Sequence, residues 1–177
     1  MGVQLVLKSF SKGVMLIAMF FAGFAIGTAA VFKYETSNFK PWGWAPDDDP
    51  IILNCYGNDF TEIYLDGPVK YWADKGYNIA FVQQDVPPGL CKEDFINGFI
   101  LLKKRNHNDP YTIALTERRV SLGRIRAATI YFNPGSYRLE YVLEHELGHA
   151  FGFTHLEEEG HIMHPEYGKM GDRFWMP

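Results

Sequence analysis

The chain has 177 residues, of which 47% are apolar and 21% charged, and its formal net charge is −4. That length suffices for one domain with a sizeable core, and an aromatic content of 16% excludes disorder as its main state. The acidic balance leaves no basic footprint for a nucleic acid.

Residues 1–12 carry Lys8 and Lys12 and are read as a cytoplasmic N-terminus. The run from Gly13 to Phe32, GVMLIAMFFAGFAIGTAAVF, holds about 20 residues without a charge, and at ~1.5 Å each it spans roughly the 30 Å of a bilayer core. Residues 13–32 are therefore read as a transmembrane anchor. The alternative is a cleaved signal peptide, since a positive start, an apolar middle and the small residues Gly27 to Ala30 fit that pattern too. Either way the rest of the chain is exported, in line with the positive-inside rule. Residues 33–50 read as a linker: PWGWAPDDDP has neither helical nor strand periodicity. Trp42 and Trp44 suit the headgroup level of a membrane or packing on the domain. Asp47, Asp48 and Asp49 read as a solvated turn, with calcium binding as the alternative.

The domain proper is expected over 51–177. Strands are expected at Ile51–Tyr56, Tyr77–Gln84, Gly98–Lys104, Tyr111–Glu117 and Arg126–Pro134. A helix is expected at Gly67–Gly76, with Pro68 near its start and Gly76 at its end. Turn residues at 106–110 separate the third and fourth strands, and His107 reads as one of them. From Tyr137 to Phe151 apolar residues recur at three- and four-residue steps, the mark of a second helix. This order gives an α/β (α+β) layered domain: a mixed twisted sheet with two main helices. Cys55 and Cys91 are expected to pair in an exported protein, where disulfides persist. Two buried free thiols are the alternative.

Three of the six histidines fall in HELGHAFGFTH, His145 to His155. His145 and His149 are i and i+4 on the expected helix, so both project from one face. That spacing suits two imidazoles on one zinc ion. Glu146 sits beside the first ligand and can take a proton from a zinc-activated water. Gly152 tolerates the positive φ of a helix end, and the turn it permits returns His155 to the same ion. Three protein ligands leave one position open, which marks a catalytic zinc site. Gly148 inside the helix implies close packing of that helix on its neighbours.

The pattern His145-Glu146-x-x-His149-x-x-Gly152-x-x-His155 resembles the extended zinc signature of the metzincin metalloproteases. Met163-x-Pro165-x-Tyr167 is similar to the methionine turn of their matrixin branch. The resemblance implies that Met163 lies beneath the ligands as an apolar base and that Tyr167 and Pro165 wall a pocket, with a Tyr167 hydrogen bond to the oxyanion as the alternative. It also implies that the strand Tyr111–Glu117 aligns an extended substrate. His161 and His164 flank the methionine and read as turn or cleft residues, with His161 a candidate supporting group behind the ligands. The family's cysteine switch is not matched around either cysteine, and its structural zinc and calcium loops are not recognisable. Glu157 to Glu159 read as a solvated loop, with calcium the alternative.

The function these residues point to is an exported, membrane-anchored zinc endopeptidase. It would take one catalytic Zn2+ and a protein or peptide substrate, with Glu146 as general base. A zinc-binding protein without turnover and a zinc amidase acting on cell-wall peptides are the alternatives. Nothing in the sequence sets an oligomeric state.

Overall fold

β-branched and large apolar residues build the centre of the domain as a five-stranded sheet. The computed structural model describes residues 39–45, 48–106 and 111–177. The segment expected to cross a membrane or act as a signal, 13–32, lies outside them, as do Asp47 and His107. Among the described residues no helix is long and apolar enough to cross a membrane. The chain divides into two units, Met1–Ser37 and Asn38–Pro177, and every element named below belongs to the second.

The strands are β1 (Ile51–Asn54), β2 (Val82–Gln83), β3 (Phe99–Lys104), β4 (Ala114–Ser121) and β5 (Arg124–Phe132). The helices are α1 (Ile63–Ala73) and α2 (Val142–Ala150). The sheet order is β2-β1-β3-β5-β4. Four strands run parallel, and β4 pairs antiparallel to β5 at one edge. β3 and β5 read as near-continuous apolar runs because both of their faces are covered.

One face carries Ile52, Ile100, Leu102, Ala128, Ile130 and Phe132, all buried in a single core with residues of α1 and α2. The other face carries Leu53, Leu101 and Thr129, in register across three strands. A loop covers it: Thr129 Oγ1 donates to Asp94 O. The Cys55–Cys91 disulfide, with Cα atoms 5.3 Å apart, ties that loop to the end of β1. Closing a loop of 36 residues' separation stabilises by about 4 kcal/mol in the chain-entropy picture.

Several element bounds differ from those expected. α1 starts at Ile63, four residues before Gly67, and Pro68 lies inside it. Leu65, Pro68 and Trp72 form its buried face, so tertiary burial overrides the proline as a start signal. It ends where expected: Gly76 takes φ +82° and its N–H bonds Ala73 O. β2 is a two-residue strand rather than the eight residues of Tyr77–Gln84. The strand expected at Tyr111–Glu117 runs over Ala114–Ser121, because Leu122 and Gly123, at φ +51° and +70°, make a tight hairpin into β5. The helix expected from Tyr137 is divided into a 3-10 turn, Ser136–Arg138, and α2, with Tyr141 at φ +64° between them.

The expected linker is also corrected over its described part. Phe39 is buried in the core. Trp44 Nε1 donates to Ala150 O at 3.0 Å, which seats that indole on the end of α2. Gly43 forms a bridge to Arg124, and Thr154 N donates to Phe39 O at 2.7 Å. The folded unit thus starts before Ile51.

Candidate metal centre and active-site cleft

α2 is held against α1 and the sheet by close approach. A Cβ at Gly148 would lie 2.3 Å from Met163 Sδ and 2.7 Å from Trp72 Cζ2, so only glycine fits between them. The helix then ends at a second glycine. Gly152 has φ +107°, and a Cβ there would meet Trp42 O at 2.0 Å. This turn reverses the chain and carries His155 back over the helix.

His145, His149 and His155 converge. One ring nitrogen from each lies within 4.8 Å of the others, and among the described residues this is the group of side chains arranged to hold a metal. Two nitrogens about 2.0–2.1 Å from a tetrahedral zinc lie about 3.3–3.4 Å apart. Nε2 of His149 is 3.2 Å from Nε2 of His155. The tautomers fit as well. His145 Nδ1 is 2.8 Å from Ile162 O, and His149 Nδ1 is 2.8 Å from Phe153 O. A carbonyl can only accept, so both Nδ1 atoms carry the proton and both Nε2 lone pairs are left for a cation.

Burial also keeps the rings neutral. Desolvation pushes His145 down to about 4 and His149 well below its ordinary value, and it lowers His155 too. Neutral imidazole is the ligating form. The donor set, its spacing and its protonation therefore suit zinc.

Glu146 lies beside this cluster and is 6% exposed. Burial raises its carboxyl to about 7, and a hydrogen bond from Thr116 works in the opposite direction. Thr116 Oγ1 is 2.5 Å from Glu146 Oε2 and 3.2 Å from Glu146 O. Arg118, two residues along the same strand face, donates from Nη1 to His149 O at 2.9 Å and reaches Phe153 O at 3.5 Å. Its guanidinium thus caps carbonyls at the end of α2, where the helix dipole favours a cation. These two side chains fasten β4 to α2. The sequence reading missed both. Their signal was the period-2 spacing of Thr116 and Arg118, which puts two polar side chains on one face of a strand.

A cleft of about 430 Å³ opens between β4 and α2. The three histidines, Glu146, Thr116 and Arg118 line it, and so do Pro165 and Tyr167. Met163 is fully buried and packs under α2 at Gly148. The two histidines beside it are held elsewhere. His161 Nδ1 accepts from Met163 N at 3.0 Å, and its Nε2 faces Trp175 O at 3.2 Å. Its ring sits among Phe39, Phe174 and Trp175, so it anchors the C-terminal segment and does not line the cleft. His164 Nδ1 accepts from Glu166 N at 3.0 Å and serves the turn. The strand expected to align substrate reaches the cleft with Tyr111 to Thr116, although only its second half is in β4.

Compared with known families, residues 55–175 match Matrixin. A comparison with curated protein sequences finds no match.

Proposed function

The chain belongs to the matrixin family, and from that premise we propose that it is an exported zinc endopeptidase with Glu146 as its general base. The observation that carries this reading is the convergence of His145, His149 and His155 beside a buried carboxylate in an open cleft. Zinc supplies Lewis acidity to a peptide carbonyl and to an attacking water. The chain's own residues do the rest. Glu146 takes the water's proton during attack and delivers it to the leaving amine. β4, at the edge of the sheet and paired on one side only among the described residues, offers backbone groups to an extended peptide. Pro165 and Tyr167 wall the cleft beyond the metal centre, and Met163 supports the ligands from below.

Residues 13–32 anchor the protein in a membrane, with the N-terminus cytoplasmic and the peptidase outside. Release by signal cleavage gives the same exposure. The Cys55–Cys91 disulfide supports export, because such bonds persist in oxidising compartments. The test is an assay of the full chain, purified in detergent, on casein, quenched peptides and cell-wall fragments. Zinc-dependent cleavage of casein or peptides is expected. Turnover of cell-wall fragments alone would make it an amidase, and zinc binding without any turnover would make it a binding protein.

A further inference from the structure

Building on the peptidase reading, we propose that Thr116 is a positioning residue for the general base. It holds one oxygen of Glu146, so that the other alone exchanges the proton. The hydroxyl is 2.5 Å from Glu146 Oε2, the length of a charge-assisted O–H···O⁻ bond. Among the described residues, no other side chain bonds this carboxylate. With Glu146 6% exposed, water offers little substitute.

The placement of Thr116 is over-determined. It is paired with Ile130 in the β4–β5 ladder, so the sheet fixes its backbone. Its branched Cβ is stiff about χ1, so the backbone fixes the hydroxyl. The same strand lies along the cleft, and the hydroxyl therefore sets the base relative to whatever peptide pairs with β4. With Oε2 engaged, Oε1 is the oxygen left for chemistry. As the water oxygen bonds the carbonyl carbon, a water O–H bond breaks and its proton passes to Oε1. As the C–N bond breaks, the same proton passes from Oε1 to the amine nitrogen. A carboxylate free to turn would spend part of its time with neither oxygen in line.

The test uses the full chain with Thr116→Val, which keeps the shape without the hydroxyl, and Thr116→Ser, which keeps the hydroxyl. Thr116→Ala adds no bulk and repeats the test should valine not fit. Quenched peptides give kcat and KM, chelator competition gives zinc affinity, and 13C-labelled glutamate in the metal-free protein gives the Glu146 side-chain signal, assigned with Glu146→Gln. Thr116→Val should lower kcat about 10- to 100-fold, the scale of a misplaced catalytic group. KM and zinc affinity should stay near wild type. The Glu146 signal should move, and Thr116→Ser should restore both signal and kcat. Wild-type kcat in the valine or alanine variant, an unmoved signal, or failure of serine to rescue would overturn the proposal. A wild-type chain that binds no zinc and cleaves no peptide would instead overturn the peptidase reading itself.

Discussion

The floor of the cleft, α2 and the loop after it, brings three histidines together within His145 to His155. The roof, β4, reaches the same space from residues thirty positions away, through its pairing with β5. In the floor, helical periodicity and one glycine turn fix the geometry, so a short segment specifies the three candidate ligands. In the roof, nothing local fixes Thr116 or Arg118 over the metal centre. Sheet order and hairpin register do that. The floor is suited to holding an ion, and in the proposed function the roof sets the base and the substrate against it.

The sharpest way to separate these roles is to disable the floor's chemistry without touching its ligands. Glu146→Gln should keep zinc and fold while kcat falls about 10²- to 10⁴-fold, the usual contribution of a positioned proton acceptor. Steady-state kinetics beside elemental analysis checks it. Activity close to wild type would mean that another group acts as base.

Acid should next weaken the floor of the metal-free protein. Burial holds His145 down to about 4, against an unfolded value near 6.5. Between those values the unfolded chain binds more protons than the folded one, so stability falls as pH drops through that window. The loss from His145 alone is on the order of 3 kcal/mol. Burial raises the Glu146 carboxyl to about 7 and gives an opposing gain over the same window, so urea unfolding at pH 7 and pH 4.5 is measured on the metal-free Glu146→Gln chain, where that gain is absent. Equal stability at the two values would show that the ring is not buried in the neutral form.

A smaller effect is expected from the fastening between roof and floor. Arg118→Met keeps most of the side chain's length and removes the hydrogen bonds to His149 O and Phe153 O. Loss of a charge-assisted bond to such carbonyls should cost about 1–3 kcal/mol. Zinc affinity should change less than it does on removing any ligand. Thermal unfolding and chelator competition report the two quantities separately.

The same contrast explains what could be read from the sequence. The strand–helix order and the histidine cluster follow from periodicities of 2 and 3.6 and from glycines at helix ends, all of which are local. β4 starts three and ends four residues later than expected because its hairpin uses Leu122-Gly123, where Asn-Gly would advertise the turn. The second helix looked continuous because nothing in its pattern marks Tyr141 as left-handed. The segment from Phe39 looked like a linker because its partners, Ala150, Thr154 and Arg124, lie more than eighty residues on. Proximity to Met163 in sequence makes His161 a candidate supporting group and says nothing of Trp175, which holds its ring. The misses at Phe39, His161, Thr116 and Arg118 concern contacts between segments apart in sequence, whereas those at Leu122 and Tyr141 are local backbone conformations that the residue types do not mark.

If the floor alone holds the metal, as proposed, metal content will follow its three histidines and no others. Elemental analysis of the purified full chain should give one zinc per chain. Ligand removal in His155→Ala should weaken zinc binding by orders of magnitude. His161→Ala and His164→Ala should keep the ion, with affinity changed no more than about 10- to 100-fold. Zinc retained in His155→Ala and lost in His161→Ala or His164→Ala, or no zinc taken up by the wild-type chain even when it is supplied, would contradict the account.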